Sequence, residues 1–254
     1  LDGGNAWYRR GFKISEEDRG KRISVYFEGV TNCCTVYVNS CLAKRNFCGY
    51  VPFEVDITDY LYYGDEPNVI AVHIDNSSHE GWWYDGGGIY RNVWLIKTDM
   101  VSLDTWGVYV APKKISDTEW EVPIETTVRN DDFKNHRVAV KNEILDEDGN
   151  VVAEVTNNLN VALKYKAVLN QKVTVTNPRL WDCENPNLYY CRTTIYRGNR
   201  AVDEVRNHFG FRTIRFDANK GFFLNDKHVI IKGVCSHEDY GLQGKAVFDR
   251  IKRY

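Results

Sequence analysis

The sequence predicts a mainly β protein built from antiparallel sandwiches, and three observations carry that prediction. Short runs rich in β-branched and aromatic residues are bounded by Gly, Asn, Asp or Pro. Asp-Gly and Gly-Asn pairs separate several of these runs, as hairpin turns do. Aromatic residues make up 13% of the 254 residues, with 16 Tyr and 7 Trp, and such residues favour strands. The length and the 43% hydrophobic content allow more than one core.

The first sandwich is predicted over residues 7–97. Residues 23–27, 35–38 and 69–74 are short β-rich runs, each ended by turn-forming residues. Residues 99–102 mark the expected seam between this sandwich and the next.

A second, smaller sandwich of immunoglobulin-like type is predicted over residues 103–208. Residues 121–128 and 138–144 alternate apolar and polar side chains with the period of a half-buried strand. Asp148-Gly149 predicts a hairpin turn between residues 144–145 and 151–152, and Gly198-Asn199 predicts another.

The pattern changes after residue 211, where a third domain is expected to begin. Residues 221–232 predict a hairpin that turns at Asn225-Asp226, with a strand over residues 229–233. Val247, Ile251 and Tyr254 have the i, i+4, i+7 spacing of an amphipathic helix over residues 244–254. Because one strand and one helix cannot cover both faces of the strand, we expect the chain to be part of a longer protein.

Charge and cysteine content narrow the range of expected binding partners, metal sites and cellular locations. The 33 basic and 35 acidic side chains leave a net charge of −2, without the basic surface of a nucleic-acid or anionic-membrane partner. No apolar run approaches the roughly 18 residues of a membrane span. The seven cysteines contain no CxxC pair and no paired metal ligands. Free or buried thiols, and hence a reducing, cytoplasmic location, are the expectation.

Eight short phrases, in order along the chain, resemble glycoside hydrolase family 2, the β-galactosidase and β-glucuronidase group. They are similar to the N-terminal portion of that family. The phrases are residues 7–12 (WYRRGF), 27–30 (FEGV), 36–39 (VYVN), 49–58 (GYVPFEVDIT), 86–93 (GGGIYRNV), 180–189 (LWDCENPNLY), 209–212 (FGFR) and 232–239 (KGVCSHED).

The resemblance implies a jelly-roll, sugar-binding-type domain over residues 1–98 and an immunoglobulin-like sandwich over residues 99–208. Residues 209–254 would be the truncated start of a (β/α)8 barrel. Members are retaining glycosidases with two catalytic glutamates, which the resemblance places beyond residue 254. The chain alone is therefore expected to be inactive and to hold no cofactor. Mg²⁺ or Na⁺ is implied only for the longer parent protein, with ligands outside this chain.

Two clusters are candidates for substrate binding: His237, Glu238 and Asp239, and Trp82, Trp83 and Asp85. By resemblance, His237 would donate a hydrogen bond to a sugar hydroxyl, and the alternative is a loop histidine satisfied by a neighbouring carboxylate. An indole face can stack on a pyranose while a carboxylate accepts hydroxyl hydrogen bonds, although packing under the glycine-rich loop is the competing interpretation. Glu238 and Asp239 are adjacent, whereas a retaining pair comes from different barrel strands.

Three hypotheses follow. The first is the N-terminal part of a retaining glycoside hydrolase that acts on β-galactosides or related β-glycosides. The second is a non-catalytic carbohydrate-binding module that uses the surface of residues 82–85, and the third is a structural spacer. The family phrase has Asn-Arg where this chain has Cys235-Ser236. Asp85 stands where Pro is common in the galactosidase-like version, and Trp82 where some members have an acidic residue, so the sugar and its linkage are left open. A homo-oligomeric state is left open as well.

Overall fold

The structure, a computed structural model, describes residues 4–77, 86–235, 240 and 244–252. The described residues form twenty strands, two short 3₁₀ helices and one α-helix of a single turn, so the predicted mainly β class is confirmed. The chain divides into two compact units, one of residues 1–97 with 234–254 and one of residues 98–233. None of the helices in the described part is long and apolar enough to span a membrane.

The first unit holds a four-stranded sheet in the order β1-β7-β4-β5, a three-stranded sheet β6-β2-β9 and the pair β3-β8. Its 3₁₀ helices are Glu16–Asp18 and Thr58–Tyr60. The strands are β1 (Asn5–Phe12), β2 (Arg22–Phe27), β3 (Val30–Thr31), β4 (Cys33–Val38), β5 (Cys41–Asn46), β6 (Phe53–Asp56), β7 (Asn68–Asp75), β8 (Gly88–Ile89) and β9 (Val93–Thr98).

Side-chain alternation on the strands builds the core of this unit. Along β4, Cys34, Val36 and Val38 are buried while the residues between them are part-exposed, because successive side chains point to opposite faces. These residues meet the apolar face of β2 and β6, where the rings of Phe27 and Phe53 stack with centroids 4.9 Å apart. The core therefore lies between the four-stranded and the three-stranded sheets.

The second unit contains two four-stranded sheets and a three-stranded meander. One sheet has the order β10-β12-β11 with β15 also on β12, the other is β14-β13-β16-β17, and the meander is β18-β19-β20. The strands are β10 (Val101–Val110), β11 (Lys113–Lys114), β12 (Glu119–Asn130), β13 (His136–Leu145), β14 (Val151–Val161), β15 (Tyr165–Thr176), β16 (Tyr189–Arg197), β17 (Arg200–Phe209), β18 (Ile214–Asp217), β19 (Gly221–Leu224) and β20 (Lys227–His228).

An aromatic cluster forms one end of the core of this second unit. The ring of Phe211, which is fully buried, meets Trp120 edge-on at 5.6 Å and Tyr189 edge-on at 4.8 Å. Trp120 lies on β12 and Tyr189 on β16, so Phe211 ties the two sheets together just after β17. The FGFR phrase thus has a packing function.

The predicted hairpin turns are confirmed. β13 and β14 are antiparallel around Gly149, and β16 and β17 around Gly198, and both glycines have positive φ. Asn225 and Asp226, with φ of 48° and 62°, form the tight turn between β19 and β20. Two left-handed central residues are the geometry that a two-residue hairpin requires.

Two expectations for the region after residue 228 are wrong. Residues 229–233 form no strand, and Ile230 and Ile231 are 73% and 68% exposed. A strand needs a partner for its backbone N–H and C=O groups. Beyond one hydrogen bond of 3.0 Å from the Val229 N–H to the Phe222 carbonyl oxygen, no described strand pairs with this segment. The helix covers only Asp249–Lys252, so Val247 precedes it, and Tyr254 lies outside the described residues. Short helices depend on packing of their apolar face more than on propensity.

Candidate functional site

All six predicted substrate-binding residues lie outside the described residues. Trp82, Trp83 and Asp85 belong to the segment 78–85, and His237, Glu238 and Asp239 to the segment 236–239. Described residues close to these segments form the candidate site. We call them the loop cluster, which consists of Gly49, Tyr50, Asn76, residues 86–90 and Lys245.

The two ends of the segment 78–85 are held together at its base. β7 ends at Asp75, and the side-chain Nδ2 of Asn76 donates a hydrogen bond of 2.9 Å to the carbonyl oxygen of Gly86. The carboxylate of Asp75 accepts hydrogen bonds from the hydroxyl and the backbone N–H of Ser77. These hydrogen bonds, the hydroxyl's first, hold the pKa of Asp75 below its usual range. Described residues on the two sides of the segment 78–85 are thus linked by a hydrogen bond.

Glycine is required where the chain re-enters at β8. Gly88 has a φ of 103°, a conformation that side chains with Cβ rarely adopt. A Cβ at Gly88 would also collide with the hydroxyl of Tyr8. β8 pairs with β3 through Val30↔Ile89 and Thr31↔Gly88, so the glycine-rich phrase leads into a strand.

Tyr90 links this re-entry point to two other loops. Its hydroxyl donates a hydrogen bond of 2.9 Å to the carbonyl oxygen of Gly49, and its ring packs on Gly29, where a Cβ would lie 2.6 Å from the ring carbon Cζ. The guanidinium of Arg91 lies 5.5 Å from the centroid of the same ring. Tyr90 therefore fixes the loops after β2 and before β6 against the end of β8.

Lys245, which follows the segment 236–239 in the chain, lies against Gly86, which follows the segment 78–85. Its Nζ donates a hydrogen bond of 3.2 Å to the hydroxyl of Tyr50 and lies 4.9 Å from the centroid of that ring. Its aliphatic stem covers Gly86, where a Cβ would lie 3.0 Å from the Lys245 Cδ. A backbone bridge joins Tyr240 to Gly244, the residue directly before Lys245. Gly86 and Lys245, which follow the two predicted clusters, are thus in contact.

The described residues of the loop cluster can form hydrogen bonds with a polar ligand. They present an exposed phenol, an ammonium group and backbone amides, which donate and accept hydrogen bonds of the kind that sugar hydroxyls form. Within the described ranges, no group of three or more His, Cys, Asp and Glu side chains could hold a metal ion, so we assign no ligands for Mg²⁺ or Na⁺.

The seven cysteines are free thiols. Burial raises the pKa of Cys34 and of Cys191 to about 11, which keeps both thiols protonated and unreactive near neutral pH.

Sequence reasoning missed one concave surface. A cavity of about 560 Å³ lies on the outer face of the sheet β1-β7-β4 and includes Trp7, Arg9, Tyr37 and Tyr62 in its lining. We call it the outer-face groove. Alternation along β4 could have placed Tyr37 outward, since its neighbours are apolar, but the depression itself depends on strand register.

The comparisons with known proteins agree with this fold. The family description "Glycosyl hydrolases family 2, sugar binding domain" matches residues 2–99, and "Glycosyl hydrolases family 2" matches residues 102–212. A β-galactosidase of Bacteroides ovatus is 38% identical over 256 residues, which is 100% of this chain and 30% of that protein. A β-glucuronidase of Formosa agariphila is 31% identical, over 91% of this chain and 26% of that protein.

A solved structure agrees as well. The glycosyl hydrolase family 2 member from Bacteroides cellulosilyticus superposes with a TM-score of 0.92 and 34% identity, over 98% of this chain and 34% of that one. The chain belongs to glycosyl hydrolase family 2, and its sandwiches are the jelly-roll and immunoglobulin-like domains of that family's N-terminal portion. It spans between about a quarter and a third of the length of these relatives.

Proposed function

We propose that this chain is the N-terminal part of a retaining glycoside hydrolase that acts on β-galactosides or related β-glycosides. One observation carries the proposal: the whole chain aligns with 30% of a protein named as a β-galactosidase. The remaining length of the parent would supply the barrel and its two glutamates, with residues 209–254 as the barrel's beginning. This chain would then contribute binding groups and a scaffold.

The parent would work by double displacement. A retaining site holds a nucleophilic carboxylate and an acid/base carboxyl group about 5–5.5 Å apart, and in a barrel these come from different strand ends. His237 would donate a hydrogen bond to a sugar hydroxyl that strengthens as the transition state forms, with Glu238 and Asp239 beside it. Trp82, Trp83 and Asp85 would contact the substrate from the jelly-roll side.

The contact between Lys245 and Gly86 supports a joint site of the two segments. It holds the chain that follows residue 239 against the chain that follows residue 85. Because the fixed borders lie together, the two segments can contribute to one binding surface. Asn76 and Tyr90 keep the jelly-roll border in place through their hydrogen bonds to Gly86 and Gly49.

Two assays test this proposal. The 254-residue chain alone should not hydrolyse nitrophenyl β-galactoside, β-glucuronide, β-glucoside or β-mannoside, and turnover that persists through purification would refute the missing-glutamate argument. A chimera in which this chain replaces the aligned segment of the Bacteroides ovatus β-galactosidase should hydrolyse the β-galactoside. In that chimera, His237→Ala should lower kcat/KM by about tenfold or more. His228→Ala, at an exposed position on β20, is the matched control and should leave kcat/KM unchanged.

A carbohydrate-binding module is the second candidate, favoured by the "sugar binding domain" description of residues 2–99. It predicts saturable binding of a monosaccharide to the 254-residue chain that Trp82→Ala or Trp83→Ala abolishes. A structural spacer predicts neither binding nor an effect of His237→Ala in the chimera.

A further inference from the structure

The outer-face groove arises from the order of side-chain sizes across three strands. The register places Ala71 of β7 between Arg9 of β1 and Tyr37 of β4. Two residue pairs further along, on the same face, Val69 pairs with Gly11, which has no side chain. Small residues on the central strand and large ones on both sides leave the cavity of about 560 Å³.

The walls of the groove are aromatic. Trp7 is 63% exposed, and its ring lies 4.7 Å from the ring of His73 and 5.9 Å from that of Tyr37. Tyr62, which also lines the groove, is 47% exposed. Flat aromatic faces pack on the C–H faces of pyranose rings, and the phenol hydroxyls can bond to sugar hydroxyls.

A buried polar network fixes the end wall. Asn68 is fully buried, and its side chain accepts a hydrogen bond from the backbone N–H of Tyr62 and donates one to the carbonyl oxygen of Tyr62, both of 2.8 Å. The Nδ2 of Asn39 donates to the Oδ1 of Asn68 at 2.8 Å, and the Oδ1 of Asn39 accepts from the backbone N–H of Val69 at 2.8 Å. Rigid walls reduce the ordering cost of binding.

Arg9 supplies the positive charge of the groove. Its guanidinium lines the cavity and makes no hydrogen bond or ion pair with the described residues. A guanidinium presents a planar fork of donors that matches a carboxylate by two parallel hydrogen bonds. A guanidinium that no described residue pairs, beside exposed aromatic rings, suits a ligand that has both an apolar ring face and an acidic group.

We propose that the outer-face groove binds an acidic saccharide, with the pyranose ring on Trp7 and Tyr37 and the carboxylate on Arg9. The groove shares no residue with the loop cluster, and its ligand is bound rather than transformed. The inference goes beyond the proposed hydrolase function and does not depend on it. A structural spacer with this groove would bind the same ligand.

Two probes that differ at one carbon test the proposal on the 254-residue chain. Methyl β-glucuronide carries a carboxylate at C6, where methyl β-glucoside carries a hydroxymethyl group. Titration calorimetry should show saturable binding of the glucuronide about tenfold tighter than that of the glucoside, as expected for one charge-assisted bidentate contact. Arg9→Ala should reduce this ratio to about one, and Arg9→Lys should leave an intermediate ratio because the fork is lost and the charge kept.

A filling variant and a matched control complete the experiment. Ala71→Leu should weaken both probes, because the added side chain occupies the floor of the groove. Arg10→Ala should change neither affinity, because alternation places Arg10 on the opposite face of β1. Each variant is compared with the original chain by far-UV circular dichroism and Tm, so that a loss of fold is recognised.

Three results would overturn the proposal: equal affinities for the two probes, a preference that survives Arg9→Ala, or no binding up to the solubility limit of the glucuronide. Self-association that Trp7→Ala abolishes, in place of saccharide binding, would assign the groove to a protein interface and also overturn it. Turnover by the chimera is not a readout here, so failure of this proposal is distinguishable from failure of the proposed hydrolase function.

Discussion

Asn68→Ala is the sharpest test of the packing argument, because one fully buried side chain holds two loops. Asn68 lies at the start of β7. Its side-chain amide forms hydrogen bonds with the backbone N–H and C=O of Tyr62 and with the side chain of Asn39. Alanine removes the side-chain amide, so these partners lose their hydrogen bonds to it in a site that water reaches poorly. Three hydrogen bonds of 2.8 Å are lost.

The expected cost follows from these three bonds. A net contribution of about 0.5–1.5 kcal/mol per hydrogen bond gives a loss of about 2–4 kcal/mol in the free energy of unfolding. Urea unfolding followed by circular dichroism measures this loss. Asn5→Ala, at an exposed position on β1, is the control and should stay within about 0.5 kcal/mol of the original chain. An Asn68→Ala variant as stable as that control would refute the reasoning.

Asn68→Asp tests the hydrogen bond that the side chain donates separately from those that it accepts. The substituted side chain still accepts from Tyr62 and Asn39 but, when ionised, it cannot donate to the carbonyl oxygen of Tyr62. Burial and the facing carbonyl should raise the folded-state pKa of the introduced carboxyl group above its unfolded value of about 3.9. Its stability relative to the original chain should then be highest at low pH and fall as the pH rises through the folded-state pKa. A pH-independent difference would contradict the assigned hydrogen-bond directions.

Three further substitutions test other parts of the fold. Phe211→Ala removes a fully buried ring from the second unit and should cost about 3–5 kcal/mol in urea unfolding, whereas Phe211→Leu should cost less. The hydrogen bond from Arg192 is the largest cause that lowers the pKa of Glu143, so its stabilisation is present above the unfolded pKa of about 4.3 and lost as the pH falls through the folded pKa. Glu143→Gln should therefore flatten the fall of Tm on acidification. Gly88→Ala should lower the free energy of unfolding by about 1–3 kcal/mol, because of the positive φ and the contact with Tyr8. Tyr8→Phe, added to Gly88→Ala, should recover only the part of this loss that comes from the contact.

The strands that sequence reasoning predicted are those whose information is local. β12 and β13 alternate apolar and polar side chains, and Asp148-Gly149 fixes the turn after β13, so a short window contains the whole signal. β5 carries no such signal. Cys41–Asn46 is largely exposed and becomes a strand because β4 supplies its hydrogen-bond partners.

The strand and helix predictions after residue 228 were wrong because the information that decides these elements is not local. The run over residues 229–233 has strand composition, and Val247 and Ile251 have helical spacing, but both patterns describe only one side of a packing interface. Ile230 and Ile231 are exposed, and the helix is one turn long. An apolar pattern specifies an element only when the other side of the interface is present in the folded chain.

The borders of the candidate site were partly predictable. The phrase at residues 86–93 located the glycine-rich entry to β8, which the structure confirms. The contact between Lys245 and Tyr50 joins residues 195 positions apart, and no local pattern predicts it. Asn76 was likewise missed, although an amide directly after a strand is a common closure of a loop.

The groove depends on side chains of β7 that point away from the core. No local sequence motif therefore predicts it, and its residues can vary independently of the core. Val72 and Ile74 point inward and are buried against the other sheet, whereas Ala71 and His73 point to the outer face. The inward residues are constrained by packing, since a cavity there costs several kcal/mol. The outward ones are not part of this core, so core packing does not require Ala71 to be small or Arg9 to be charged. A guanidinium that no described residue pairs, over a small-residue floor, is therefore not accounted for by core packing, and a ligand that uses both is the reason we propose for their combination.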